Sequence, residues 1–329
     1  MDPSALDRGR NQQTSQPMPR LDPTTKGVFI ISATPFADSG ALDLDGADRL
    51  VEFYLERGID GLTILGIMGE APKLTDDEAK TFARHVIGRV AGRVPVIVGA
   101  SSPGFASMAS LTRAVMDAGA AAVMIQPPAT AAKGDDAILG YCRKVSETLG
   151  PDVPWVLQDF PLLSNVPMSA PLILRIIAAC ENCVMLKHED WPGLDKLTAI
   201  RKAEDEGARR VSILTANGGV FLPFELLRGA DGTMTGFAYP EMLTGVWRHF
   251  LAGEREAMLD LFDLYLPLVR YEQQPGLGLA ARKYVLWRRG ALPSPTARAP
   301  APALTAEARA ELDWLMQRLQ RGLDAHGLA

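Results

Sequence analysis

Of the nine lysines in this 329-residue chain, only Lys187 closes an apolar run, Cys183-Val-Met-Leu-Lys187. Burial at the end of an apolar strand disfavours an ammonium and favours the free amine. A free amine attacks carbonyl carbon, so Lys187 is the candidate nucleophile for imine chemistry. Taken by itself, such a lysine more often lays its alkyl stem along apolar surface and keeps its charge in water. Other constellations are weaker. Cys180-Glu-Asn-Cys183 has metal or redox spacing, but no second pair or neighbouring histidine completes four ligands, and it does not open a helix. His85, His188, His249 and His326 are scattered, and there is no Gly-x-Ser-x-Gly, phosphate loop or His-Glu-x-x-His. No metal and no cofactor are expected.

Elements must bring these groups together. Apolar runs at 28–33, 61–65, 94–98, 122–125, 155–157, 184–186, 211–214 and 232–235 alternate with segments of helical period. The runs are dense in Val, Ile, Leu and Met, as in strands buried on both faces. Over 45–57, Leu50, Phe53, Tyr54 and Arg57 recur at helical spacing, and Thr75-Asp-Asp-Glu78 is a capping box that starts another helix. Eight such units predict an α/β chain folded as a (β/α)8 TIM barrel with a C-terminal helical extension. A doubly wound dinucleotide-binding sheet is the rival, but residues 34–40 lack the Gly-x-Gly-x-x-Gly turn. The expected division is a disordered N-terminal tail at 1–24, the barrel at 25–252 and the extension at 253–329. In the last helix Ala308, Leu312, Leu315, Met316, Leu319 and Leu323 form one stripe, which should dock on the body or a neighbouring subunit.

Composition excludes several function classes. Thirty-four basic against 39 acidic residues give a net charge of -5 with no basic block, which argues against a nucleic-acid partner. No stretch approaches the roughly 18 apolar residues of a membrane span, and the first 24 residues lack a signal-peptide core. With three cysteines, an odd number, the expectation is a cytoplasmic protein.

Several motifs, in order and spacing, resemble the dihydrodipicolinate synthase and N-acetylneuraminate lyase family. They are Gly27-Val-Phe-Ile-Ile-Ser-Ala-Thr-Pro-Phe36, Gly66-Ile-Met-Gly-Glu70 followed by Leu74, Gln158-Asp-Phe-Pro161, Lys187, and Glu272-Gln-Gln-Pro-Gly276. The resemblance runs from about residue 26 to the last helix. It implies the barrel with its helical extension, a Schiff-base lysine at Lys187, a 2-oxo acid substrate and a homotetramer.

Three departures bear on the reaction. The family's two hydroxyl residues between the glycines are Ile67 and Met68 here, which leaves the backbone amides of Met68 and Gly69 to hold a substrate carboxylate. The family's proton-shuttling tyrosine aligns with Gln158, whose amide can orient a water or donate a hydrogen bond but cannot exchange a proton at neutral pH. The arginine of dihydrodipicolinate synthases is replaced by Leu163, which argues against that activity. The pattern is more similar to the 2-keto-3-deoxy-sugar-acid dehydratase branch, so dehydration or aldol cleavage of such an acid is the leading expectation. A pyruvate-dependent aldolase or synthase, and a barrel that binds a 2-oxo acid without turnover, are the alternatives. Lys187 and Gln158 are the expected catalytic residues, and Ile67, Met68, Gly69, Asn217 and Met234 the expected substrate-binding ones. The proton acceptor is left open among a bound water, Asp159, His188 and Glu189, although strand alternation turns His188 away from the axis if Lys187 points inward. The small residues of loop 127–133 should leave a roomy mouth, with Lys133 available to an anionic substrate group.

Overall fold

A computed structural model describes residues 20–129 and 134–328. Residues 1–19 of the expected tail, and residues 130–133 with Lys133, lie outside the described residues. The strands are β1 Gly27–Ile31, β2 Gly61–Ile64, β3 Val96–Gly99, β4 Ala122–Ile125, β5 Trp155–Asp159, β6 Cys183–His188, β7 Ser212–Thr215 and β8 Gly232–Thr235. All are parallel, each pairs with the next, and β8 closes onto β1. The chain is an α/β protein with a (β/α)8 barrel, as the alternation of apolar and helical segments predicts.

The barrel helices are α1 Leu44–Leu55, α2 Asp76–Val90, α3 Phe105–Asp117, α4 Asp135–Leu149, the short α5 Pro161–Ser164, α6 Ala170–Ala179, α7 Leu194–Asp205, α8 Leu222–Leu227 and α9 Pro240–Ala252. The Thr75 hydroxyl accepts from the Glu78 amide and the Glu78 carboxylate accepts from the Thr75 amide, so α2 starts at the expected capping box. Because side chains alternate along a strand, each strand feeds two layers. Phe29, Ile31, Met124, Val156, Met185 and Met234 fill the barrel interior. Val28, Ile30, Leu62, Ile64 and Leu157 face outward to the helices. Leu21 belongs to the inner layer, and its amide donates to Ala121 O at 3.2 Å. Order therefore begins within the expected tail. A lone leucine between polar residues carries no periodicity that would announce it.

The extension consists of α10 Arg255–Glu272, α11 Gly278–Arg288 and α12 Ala306–His326. Leu312, Leu319 and Leu323 of α12 are buried, and the helix packs on α10 and α11, so its stripe docks on the chain's own extension. Among the described residues no helix is long and apolar enough to cross a membrane.

One buried carboxyl makes stability depend on pH. Desolvation pushes Glu225 of α8 up to about 7 from an ordinary 4.5. A folded-state value above the unfolded one gives a stabilising contribution that is complete below the unfolded value and is lost as pH rises through the folded one. Glu225→Gln keeps the shape without the charge. It should flatten the decline between those values and stabilise the protein above them by about 3 kcal/mol. Denaturant unfolding of both proteins at pH 5 and pH 8 checks this; parallel behaviour at the two pH values contradicts it.

Candidate active site

Inward-facing positions along β5 and β6 lead directly to the mouth. Val156 and Met185 belong to the inner layer, and two residues further on come Gln158 and Lys187, which pair in register. Lys187 is 5% exposed. Its Nζ lies 2.5 Å from Oε1 of Glu189, and Gln158 Nε2 donates to the same oxygen at 2.6 Å. Glu189 therefore continues the inward face of β6 one step past the strand, held there by its amide, which donates to Asp159 O at 2.9 Å. Lysine, carboxylate and amide share one buried corner of the mouth. The carboxylate can accept the proton that an ammonium must lose before it attacks a carbonyl.

The other acceptors expected from the sequence face away. His188 Nδ1 lies 3.3 Å from Asp159 Oδ2, and its Nε2 lies 2.9 Å from the Gly193 carbonyl. Lys196 donates to the same Asp159 oxygen at 2.9 Å and to Asp190 at 2.5 Å. Burial opposes protonation of His188, but the Asp159 carboxylate and the Gly193 carbonyl together outweigh it and raise the imidazole above its ordinary value. Asp159 and His188 thus form a buried pair behind the sheet, as alternation places them. Glu189 is the carboxylate left at the imine position.

After β2, Ile67–Gly69 form a 3₁₀ turn. Leu65 before it and Glu70 after it are left-handed, with φ of 54° and 56°, a conformation costly for any residue with a Cβ. Gly99 allows the Leu65 carbonyl to approach: a Cβ there would stand 2.1 Å from that oxygen. The expectation for the carboxylate-binding amides is corrected here. The Gly69 amide closes the turn onto Gly66 O at 3.0 Å, and the Glu70 amide donates to Ile67 O at 3.0 Å. A 3₁₀ turn leaves its first amides without backbone acceptors. Among the described residues, the Ile67 and Met68 amides make no backbone bond, so they are the pair available to a ligand. The Met68 side chain packs on the inner apolar layer.

Two further expected residues occupy supporting places. Asn217 is left-handed, with φ of 53°, and its Nδ2 donates to Glu189 O at 3.1 Å. One of its two amide hydrogens thus supports the backbone that carries Glu189. Met234 is fully buried in the inner layer and forms apolar floor. The three cysteines are free and buried, and burial pushes the Cys183 thiol up to about 12, away from the thiolate.

Comparison with known proteins adds to this geometry. The dihydrodipicolinate synthetase family model matches residues 24–319. The chain is 31% identical over 307 residues to an L-2-keto-3-deoxyarabonate dehydratase of Azospirillum brasilense, covering 90% of this chain and 95% of that protein. It is 33% identical over 262 residues to a 4-hydroxy-tetrahydrodipicolinate synthase of Sorangium cellulosum, covering 78% and 84%. Six more curated relatives, 26–30% identical, carry that second name. The crystal structure of dihydrodipicolinate synthase from Rhodopseudomonas palustris is 50% identical, with a TM-score of 0.89 over 91% of this chain and 99% of that one.

Proposed function

The chain belongs to the dihydrodipicolinate synthetase family, and from that premise we propose that it condenses pyruvate, or a similar 2-oxo acid, reversibly with an aldehyde through an imine on Lys187. Membership makes it an enzyme, a class I lyase that works through a lysine imine, and this replaces the expectation of a barrel that binds without turnover.

The observation that carries the proposal is the Lys187–Glu189–Gln158 corner. Glu189 takes one ammonium proton and Lys187 Nζ adds to C2; the carbonyl oxygen then takes a second proton from nitrogen and the first back from Glu189, and leaves as water to give the iminium, with Glu189 again a carboxylate. Glu189 next removes a proton from C3, and that electron pair flows to nitrogen through the enamine. The enamine carbon attacks the aldehyde, whose oxygen takes a proton, and hydrolysis of the imine frees Lys187. Run in reverse, the sequence is aldol cleavage. Gln158 orients the carboxylate by its hydrogen bond and moves no proton. The Ile67 and Met68 amides receive the substrate carboxylate beside the reacting carbonyl. Leu163 supplies no cation at the mouth, which fits an uncharged or hydroxylated aldehyde.

Condensation stands ahead of the dehydration expected from the sequence because most of the curated relatives are synthases. A second reading, dehydration of a 2-keto-3-deoxy sugar acid, is supported by the relative named as such a dehydratase over nearly the whole length of both chains. There the enamine expels the C4 hydroxyl, which takes the proton held by Glu189 and departs as water. Exposed Leu162 of α5, Trp191 after β6 and Phe224 of α8 fit self-association, expected as a tetramer.

A substrate panel separates the reactions. Pyruvate with a range of aldehydes should yield carbon–carbon adducts, and 2-keto-3-deoxy sugar acids should be cleaved to pyruvate. Loss of water from those acids without pyruvate release makes dehydration the reaction, and inertness toward the whole panel rejects both.

A further inference from the structure

The loop that offers the two amides is fastened from the far end of the chain. Lys283 of α11 is fully buried. Its Nζ lies 2.5 Å from Glu70 Oε1 and donates to Thr34 O and Thr296 O, each at 2.8 Å. Three donors meet three acceptors, so the ammonium is satisfied and no lone pair is free for attack. It also sits 4.6 Å above the centre of the Phe36 ring. The second Glu70 oxygen accepts from Lys73 Nζ and from the Arg298 amide, both at 2.9 Å. The Thr34 hydroxyl donates to Gly69 O at 2.6 Å. Glu70 is the left-handed residue that ends the amide turn, and Thr34 holds the turn's last carbonyl, so the lysine grips both of its anchors.

We propose that Lys283, acting through Glu70 and Thr34, is a positioning residue for carboxylate recognition, by which the C-terminal extension holds the Ile67 and Met68 amides toward the mouth. This assignment rests on the reading of those amides as the carboxylate site. Its physical basis is preorganisation: two amides discriminate for an anion only while their directions are fixed, and 3₁₀ turns flanked by two left-handed residues do not stay fixed unaided. Removing Lys283 also strips Oε1 of the buried Glu70 of its partner and leaves Lys73 as its remaining cation, which would relax the turn around it.

The test uses the full-length protein, with pyruvate and its methyl ester as probes, borohydride reduction, and quantitation of adduct on Lys187. The wild type should label at far lower pyruvate than ester concentration. In Lys283→Met the half-saturating pyruvate concentration should rise roughly ten- to hundred-fold, as for a lost charge-assisted contact, while the ester curve stays in place. Lys283→Arg should recover part of the preference. Glu70→Gln and Thr34→Val repeat the test if Lys283→Met fails to fold, and thermal unfolding reports which variants are intact. Folded variants that keep the wild-type preference, or that shift acid and ester equally, overturn the role of Lys283. A wild type that labels equally with acid and ester overturns instead the carboxylate reading on which that role rests.

Discussion

Replacing Lys187 with methionine is expected to abolish turnover, lowering it by roughly four to six orders of magnitude, because it removes the amine that forms the imine. Lys283 cannot substitute, since its three donors are committed to Glu70, Thr34 and Thr296. Methionine keeps the length and apolar stem of the lysine, so the inner layer below it, with Met185 and Val156, stays packed. Glu189, left without its cation, keeps the hydrogen bond that Gln158 donates to it. The variant should therefore fold, with unchanged circular dichroism, and show no activity on any substrate of the panel. Lys187→Arg should be equally inactive, because a guanidinium carries charge but adds to no carbonyl. Measurable turnover by either variant would place the imine elsewhere.

The second large effect concerns Glu189. Glu189→Gln keeps a hydrogen-bonding side chain beside Gln158 but removes the base, and kcat should fall by roughly two to four orders of magnitude. Imine formation should slow less than the steps after it, because water can carry away the ammonium proton, whereas removal of the C3 proton needs a base at that carbon. Proton exchange at C3 separates the steps. In deuterated water the wild type should wash the methyl protons of pyruvate into solvent, and Glu189→Gln should not, although borohydride still traps its adduct. Wild-type exchange by this variant would assign the base to a water or another group.

The sequence showed the barrel because its strands are unusually uniform: runs such as Val96–Gly99 and Ala122–Ile125 are apolar throughout, a signature of burial on both faces. It showed Lys187 for the same reason, since a single charged residue ends such a run. Alternation also turned His188 outward correctly. It could not choose Glu189 among the acceptors, because that residue lies just past β6 and its inward position depends on the bond from its amide to Asp159 O across the strand pair. The choice between Gly69 and Ile67 as an amide donor needed the turn type, which depends on the left-handed Leu65 and Glu70 rather than on any glycine pattern. The Lys283–Glu70 pair spans 213 positions of sequence, and no local period connects them.

The central claim is that Lys187 forms an imine with a 2-oxo acid, and borohydride reduction tests it most directly. The full-length protein is reduced in the presence of pyruvate, digested and mapped by peptide mass. A carboxyethyl adduct confined to the peptide that carries Lys187, absent when pyruvate is omitted and absent in Lys187→Met, is the predicted result. An unmodified Lys187 after reduction with pyruvate and with each 2-oxo acid of the panel, or an adduct that persists in Lys187→Met, would contradict it.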